Sequence, residues 1–573
     1  MHCAIPTSTT CTERPVLSEV EGSRSIRFVR LSFNVDARPT YWILLILTIS
    51  LFTKCEPNAS QDNRPNIVLI LVDDMGFSDL GCYGGEINTP NIDALAYEGL
   101  RFTNFYNTGR CCPTRASLLT GLYPHQAGVG RMVYNNYGGA YQGFLNNQAV
   151  TLAEVLGPAG YKTMMSGKWH VGHQPGQWPT DRGFERFYGI HIHVDSYYKV
   201  LKGCDVYLDG ELLIPETDDP VNHLFPENDW YTTDVFTDYA IQFLNEESKD
   251  SDQPFFLYVA HNAPHFPIEA PDEDVAKYEG QYLDGWDELR EEKFERMKEM
   301  GIIPIHSVLS PTENTLWNDL DDADKKELDF RRAIYSAQID RLDQNVGRLV
   351  EHLKKIGKYE NTLILFMSDN GCSNETGQFG MNWETHKIDN YEEWKEEGGW
   401  SVSQGQAWAN YSNVPFRLYK KYNHQGGIAT PLIAQWPGKI ENGGGYENRV
   451  GHVIDIMATL EDIAQANYPS GYNGFDIKPK EGKSLIPYLT GEEREEHQYI
   501  YWEHEGNRAV RQGNWKLVAE SEKDWELYNL EEDPTELNNL IDINPDKAEQ
   551  LRKAYTEWAQ KNDVRDWPLE KSQ

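Results

Sequence analysis

Three short runs of unbroken apolar residues punctuate the chain: NIVLILV (66–72), FFLYVA (255–260) and TLILFMS (362–368). Each has the length of a strand and lacks polar alternation, as expected of strands buried on both faces of a parallel sheet. Helical patterns lie between them. Ile92 to Leu100 reads as a helix and RFTNFY (101–106) as a strand. Thr114 to Thr120 opens another helix after a Cys-Pro turn, and VTLAEVLGPAGYKTMMSGKWH (150–170) reads as a helix–strand unit. From Arg331 onward Ile339, Leu342, Val346, Leu349 and Leu353 fall at intervals of 3, 4, 3 and 4, one apolar helical stripe leading into the third strand. The charged stretches Glu288–Met300 and Asp319–Asp324 read as solvated faces, the second lacking the glycine of a calcium-binding EF-hand loop.

This alternation predicts an α/β fold, a large mainly parallel or mixed sheet sandwiched by helices. From about Gly443 the pattern changes. A short helix (Val453–Ala464) precedes YIYWEHEGNRAVRQGNWKLVAE (499–520), whose alternation and R-Q-G-N turn predict antiparallel strands, and a last helix spans Lys547–Gln560. Three segments follow: an amino-terminal extension (1–64), a large α/β domain (65–442) and a smaller α+β domain (443–573).

The amino-terminal run YWILLILTISLF (41–52) is too short to span a bilayer and follows Arg24, Arg27, Arg30 and Arg38, as in a signal peptide. Cys55 just beyond it is either incidental or the acylated cysteine of a bacterial lipoprotein, although Phe52 and Lys54 are not the small residues usual there. Export to the periplasm or cell surface is the expectation. Residues 1–40 read as neither signal nor domain. The 573 residues carry a formal net charge of −36, which argues against a nucleic-acid partner and suits a soluble exported protein. Eight scattered cysteines make neither a disulfide scaffold nor a C-x-x-C zinc site.

Polar residues follow each buried run. Asp73 and Asp74 follow the first, His261 and His265 the second, Asp369 and Asn370 the third. In open α/β sheets ligands bind at this edge. Three Asp and one Asn are hard oxygen donors suited to Ca²⁺ or Mg²⁺, although Asp73 and Asp74 alone could simply cap a loop. Cys111 opens a small-residue helix in CCPTRASLLTG (111–121), with Arg115 one turn on, an environment that attracts anions. Taken alone, it is either a thiolate nucleophile or a buried cysteine.

With that segment the chain resembles the formylglycine-dependent sulfatases of the alkaline phosphatase superfamily, bacterial arylsulfatase branch. The motif C-x-P-[ST]-R followed by A-S-L-L-T-G is intact. ILVDDMGFSDLGCYG, GKWHVG (167–172), APHFP (263–267), SDNG (368–371), GGIATPLIAQWPG (426–438) and NWKLV…ELYNLEEDPTELNNL extend the resemblance over residues 65–573. It implies that a maturation enzyme oxidises Cys111 to formylglycine, whose hydrate is the nucleophile, and that Cys112 stays unmodified. It implies one Ca²⁺ held by Asp73, Asp74, Asp369, Asn370 and residue 111. It places Arg115, Lys168, His170, His265 and Lys420 around formylglycine and the sulfate group, Lys420 by its offset from Gly426. Asp369 is then expected to take the nucleophile's proton, His170 the second hydroxyl's, and His265 to protonate the departing oxygen. Gln425 departs from the family's usual Glu before Gly-Gly and could alter the lysine's orientation.

The expected substrate is a sulfated carbohydrate, an algal-type glycan suiting an exported acidic enzyme, or an aryl sulfate. A phosphonate or phosphate ester hydrolase with the same nucleophile, and a non-catalytic binder of sulfated glycans should Cys111 stay unmodified, are the alternatives. A Cys–His–Asn thiol enzyme fits least. Tyr197, Tyr198 and Trp230 read as packing; His386, His424 and His452 as surface or core histidines. The sequons at Asn58, Asn374 and Asn410 would matter only in a eukaryotic secretory pathway.

Overall fold

The computed structural model describes residues 62–569 apart from 135, 218, 250, 398–401, 441 and 442. The apolar run 41–52 and Cys55 lie outside the described residues. Among the described residues no helix is long and apolar enough to cross a membrane.

The centre is a ten-stranded mixed sheet. In spatial order its strands are Gly445–Glu447, Leu100–Phe102, Leu432–Gln435, Thr362–Ser368, Asn66–Val72, Phe255–Ala260, Lys162–Lys168, Arg186–Ile190, Val206–Leu208 and Glu211–Ile214. The five strands from Thr362–Ser368 to Arg186–Ile190 are parallel to one another. The three apolar runs are adjacent at its centre, and every residue of each is buried. Alternate side chains of Asn66–Val72 enter two different cores: Val68, Ile70 and Val72 one, Ile67, Leu69 and Leu71 the other. Helices therefore cover both faces, which is why no polar alternation was needed.

On the first face lies the helix Asp322–Lys355, burying the stripe from Ile339 to Leu353. It begins nine residues before Arg331, because Asp321 caps it: its carboxylate accepts the N–H groups of Ala323 and Asp324 at 2.9 and 2.8 Å. Acidic residues at a helix amino terminus are stabilising, so part of the Asp319–Asp324 run is a cap. The second face carries Cys111–Thr120 and Asp455–Ala464, where Gly121, at φ +70°, ends the first helix and admits Met457.

Beyond Gly443 the strand Gly445–Glu447 still belongs to the large sheet, as its edge. The separate antiparallel sheet comprises Ile500–His504, Asn507–Gln512, Trp515–Ala519 and Glu526–Asn529, with the helix Pro545–Lys561 sharing its core.

Candidate active site

The parallel strands deliver their polar successors to one edge, and backbone hydrogen bonds tie those loops together. Asp369 N–H donates to the Val72 carbonyl at 3.0 Å, Asp73 N–H to Ala263 at 3.1 Å, and His261 N–H to Leu71 at 2.9 Å. Asp74 adopts φ +68°, a left-handed conformation that Asp enters more readily than most residues. Lys420 comes from a different loop. A Cβ on Gly371 would lie 1.8 Å from the Gly426 carbonyl oxygen, and one on Gly426 would lie 2.2 Å from that of Leu418. The glycines of SDNG and Q-G-G thus let two backbones touch, and Lys420 N–H closes the junction on Cys372 O at 3.1 Å.

Here Cys111, Arg115, Lys168, His170, His265, Lys420, Asp73, Asp74, Asp369 and Asn370 come together, all buried. Arg115 spends its guanidinium on the others. Nε and Nη2 donate to Asp369 Oδ2 at 3.0 and 2.8 Å, Nη2 also to Asp73 Oδ2 at 3.2 Å, and Nη1 to the Lys168 carbonyl at 2.9 Å. Lys168 Nζ donates to Asp73 Oδ2. Lys420 Nζ lies 2.7 and 2.9 Å from the two Asp74 oxygens, and Asn370 Nδ2 donates to Asp74 Oδ1 at 2.6 Å.

Three buried carboxylates and three cations share this space, and their acidities diverge. Burial opposes ionisation of Asp73, yet Lys168, His265 and Arg115 hold its carboxyl below the ordinary range. Burial pushes Asp74 up to about 6 against the pull of Lys420, with Asp73 adding to the rise. Burial, with Asp73 beside it, also raises Asp369 well above its usual value. Such a set suits a hard cation. Two of its oxygens, Asp73 Oδ1 and Asn370 Oδ1, are buried without a hydrogen-bond partner, at a typical cost of about 1–3 kcal/mol each. Ligand atoms of Asp73, Asp74 and His265 lie within 4.8 Å of one another. Asp369 fits less simply, its Oδ2 being engaged by Arg115.

Cys111 is the first residue of its helix, and its sulfur, that of Cys112 and a ring nitrogen of His170 lie within 4.8 Å of one another. A hydrogen bond with Cys112 favours the Cys111 thiolate, burial opposes it, and His170 and Lys420 add to the lowering. Burial and Lys168 push His170 down to about 3, leaving it neutral. His265 is likewise brought down to about 3 by burial and Lys420. Its Nδ1 lies 2.5 Å from the Phe266 carbonyl and must be the donor there, so neutral His265 carries its proton on the side away from Asp74, whose Oδ2 is 3.6 Å from Nε2. The expected donor to the departing oxygen is thus not armed in this structure.

Tyr197, read as packing, is buried and stacked on Tyr231, and its hydroxyl donates to the His265 carbonyl at 2.9 Å. Trp230 is buried. Gln425 engages Tyr106 at 3.1 Å and Lys516 at 3.3 Å, so its side chain serves the carboxy-terminal sheet.

Other neighbours of the site escaped sequence reasoning. Arg110, directly before Cys111, pairs with Glu375 at 3.1 Å. Glu375 in turn acts electrostatically on Lys420 and His265. Its only sequence signal was the middle position of a sequon. Tyr134, exposed at the rim, places its hydroxyl 2.6 Å from His193 Nδ1 and 3.5 Å from His170 Nε2. Neither had periodicity to betray it, although Arg110 could have been found from its adjacency to the motif.

Residues 65–466 match the family model described as sulfatase, and residues 416–562 that described as N-sulphoglucosamine sulphohydrolase, C-terminal. An uncharacterized sulfatase of Schizosaccharomyces pombe is 33% identical, the match covering 86% of this chain and 93% of that one. An arylsulfatase of Klebsiella aerogenes is 32% identical over 76% of this chain and 94% of its own length. Among solved structures, Ps i-CgsB in complex with k-i-k-neocarrahexaose superposes with a TM-score of 0.63 at 25% identity, covering 88% of this chain and 95% of that one. A phosphonate monoester hydrolase of Agrobacterium radiobacter, at 20% identity and TM-score 0.53, shares the fold, covering 88% of this chain and 97% of its own. With the sheet, the edge of converging carboxylates and the Cys111 helix in place, the chain belongs to the sulfatase family of the alkaline phosphatase superfamily and is an enzyme that hydrolyses sulfate esters.

Proposed function

We propose that this sulfatase removes sulfate from a sulfated glycan after Cys111 has been converted to formylglycine, with one Ca²⁺ held by Asp73, Asp74, Asp369, Asn370 and residue 111. The observation that carries the reading is the position of Cys111. It lies at the amino terminus of a fully buried helix, beside neutral His170 and within the field of Lys420. The glycan preference leans on relatives: a neighbouring structure holds a neocarrahexaose, and a Bacteroides thetaiotaomicron relative, 25% identical over 91% of this chain, is an N-acetylglucosamine-6-O-sulfatase. Export to the periplasm or cell surface, with or without acylation at Cys55, completes the proposal.

The formylglycine hydrate beside its cation would supply one hydroxyl for attack on sulfur and a second whose deprotonation lets sulfate leave as the aldehyde re-forms. The chain's own residues do the rest. Lys168 and Lys420 bring buried ammonium groups whose protons are shared with Asp73 and Asp74, ready to meet the charge that spreads over the sulfuryl oxygens. Neutral His170 can accept a proton at residue 111. Arg115 fixes Asp369 and the Lys168 backbone in place.

Peptide mass spectrometry of the purified protein tests the modification: the thiol-to-aldehyde mass loss should appear at Cys111 and not at Cys112. Cys111→Ala should abolish sulfate release from 4-nitrophenyl sulfate and from sulfated oligosaccharides, while Cys112→Ser keeps most of it. An aldehyde at Cys112, or near-normal turnover by Cys111→Ala, defeats the mechanism. Faster hydrolysis of a phenylphosphonate ester than of any sulfate would move the enzyme to the rival class.

A further inference from the structure

We propose that His193, Asp195 and Cys204 form a binding site for a transition-metal dication of the zinc class, at the rim of the active site and separate from the hard-oxygen set. All three come from the segment that joins the strands Arg186–Ile190 and Val206–Leu208, and one ligand atom of each lies within 4.8 Å of the other two. His193 and Cys204 are buried, while the Asp195 side chain is 18% exposed, leaving access from one side. The donors differ in kind from Asp73, Asp74, Asp369 and Asn370. A thiolate and an imidazole select zinc-like metals, whereas carboxylate and amide oxygens select Ca²⁺ or Mg²⁺.

The orientation of His193 supports the assignment. Tyr134 occupies Nδ1 at 2.6 Å, so Nε2 is the nitrogen turned inward, 2.6 Å from Asp195 Oδ1. This is the outer-sphere hydrogen bond that metal-ligating histidines generally make on their other nitrogen. Despite that short distance, buried Asp195 Oδ1 accepts no properly directed hydrogen bond. Charge also balances: a dication bound by one thiolate, one carboxylate and one neutral imidazole leaves a nearly buried site neutral. Three protein ligands leave the fourth tetrahedral position for water or a substrate oxygen. Because the Tyr134 hydroxyl also lies 3.5 Å from His170 Nε2, a metal here would set the position of a side chain on the catalytic rim.

The test is titration of the full chain with Co²⁺ and Zn²⁺ in saturating Ca²⁺. It uses a Cys111→Ser/Cys112→Ser background, which removes the other cluster of thiols. One Co²⁺ per chain with a thiolate-to-cobalt charge-transfer band is expected, with one Zn²⁺ per chain by elemental analysis after dialysis. Cys204→Ser should lose the band, and His193→Gln should weaken Zn²⁺ binding roughly tenfold or more. Tyr134→Phe should weaken it less. Should Cys204→Ser misfold by circular dichroism, Asp195→Asn serves in the same titration and is expected to weaken Zn²⁺ binding similarly. No uptake by the parent, or a Cys204→Ser protein that binds with the parent's stoichiometry and affinity, overturns the proposal and leaves the three residues as a hydrogen-bonded brace.

Discussion

Arg115 is the residue at which the structure gives the sharpest quantitative expectation. Family resemblance places it in the pocket around the sulfate, but its described hydrogen bonds go to protein: two to Asp369, one to Asp73 and one to the Lys168 carbonyl. It therefore holds Asp73, Asp369 and the Lys168 backbone in register. Arg115→Lys keeps the charge and removes the planar fork, which an ammonium cannot reproduce. Breaking a buried ion pair outright typically costs about 3–5 kcal/mol, and retaining the charge should bring this to about 2–3 kcal/mol. Residues 62–573 form one compact unit. At about 2.1 cal/mol/K per residue its unfolding entropy is about 1.1 kcal/mol per degree, so Tm should fall by only about 2–3 °C. Activity should suffer far more, with kcat on 4-nitrophenyl sulfate falling about 10²–10³-fold, the usual cost of disturbing a preorganised electrostatic site, while KM changes little. Steady-state kinetics and calorimetry on the same preparation decide the matter. Retained kcat with a KM raised tenfold or more would mean that the guanidinium grips sulfate directly. A Tm loss beyond about 10 °C would mean that its role is chiefly to hold the fold.

Three further outcomes follow from the same geometry. Chelation should inactivate the enzyme and Ca²⁺ restore it, with Asp73→Asn raising the Ca²⁺ concentration needed; full activity after exhaustive chelation, checked by elemental analysis, would refute the hard-cation site. Because neutral His265 carries its proton on Nδ1, the proton for the departing oxygen falls to the Lys420 ammonium, so Lys420→Ala should cost sugar sulfates about 10²–10⁴-fold more than 4-nitrophenyl sulfate in kcat/KM, while His265→Ala lowers both alike; the opposite pattern would restore His265 as the acid. Glu526 is held down to about 2, burial opposing, by His424 and Arg417, so the stability it adds is present above pH 4.5 and is lost as pH falls toward 2. Allowing for its exposure this is worth about 1 kcal/mol, so the Tm of Glu526→Gln should trail the parent's by about 1 °C at pH 7 and converge with it near pH 2, and a gap that persists there would refute the linkage.

Much of this was legible in the sequence because burial on both faces leaves an unmistakable record. Asn66–Val72, Phe255–Ala260 and Thr362–Ser368 are apolar at nearly every position since each alternate side chain enters a different core. Their carboxyl ends then fix where Asp73, Asp74, His265, Asp369 and Asn370 must emerge. Cys111 and Arg115 were legible as a motif whose spacing is one helical turn. What the sequence hid lies in connections without a period. Tyr134, His193 and Glu375 reach the site from irregular segments, and nothing in their local pattern distinguishes them from solvent-facing residues. The beginning of the long helix at Asp322 was obscured because its first turns are charged, and only the cap at Asp321 marks it.

Gln425 shows why a motif departure cannot be judged locally. By family resemblance the position before Gly426 usually carries a carboxylate, and its replacement by Gln425 was expected to bear on how Lys420 is oriented. In the structure buried Glu536, far along the chain, accepts the Gln425 N–H at 2.8 Å and pairs with Lys516 at 2.7 Å, while Lys516 also donates to the Gln425 side chain at 3.3 Å. The carboxylate at this junction therefore comes from the carboxy-terminal segment, its acidity raised by Lys516 and His424 against the effect of burial. The same sheet clasps His424 and Arg417 through Glu526, and Trp502 donates to the Asn107 carbonyl at 2.7 Å, four residues before Cys111. The loops that present Lys420 and Cys111 are thus braced from behind by residues 500–536. A separate antiparallel sheet thus helps set the spacing between the Cys111 helix and Lys420.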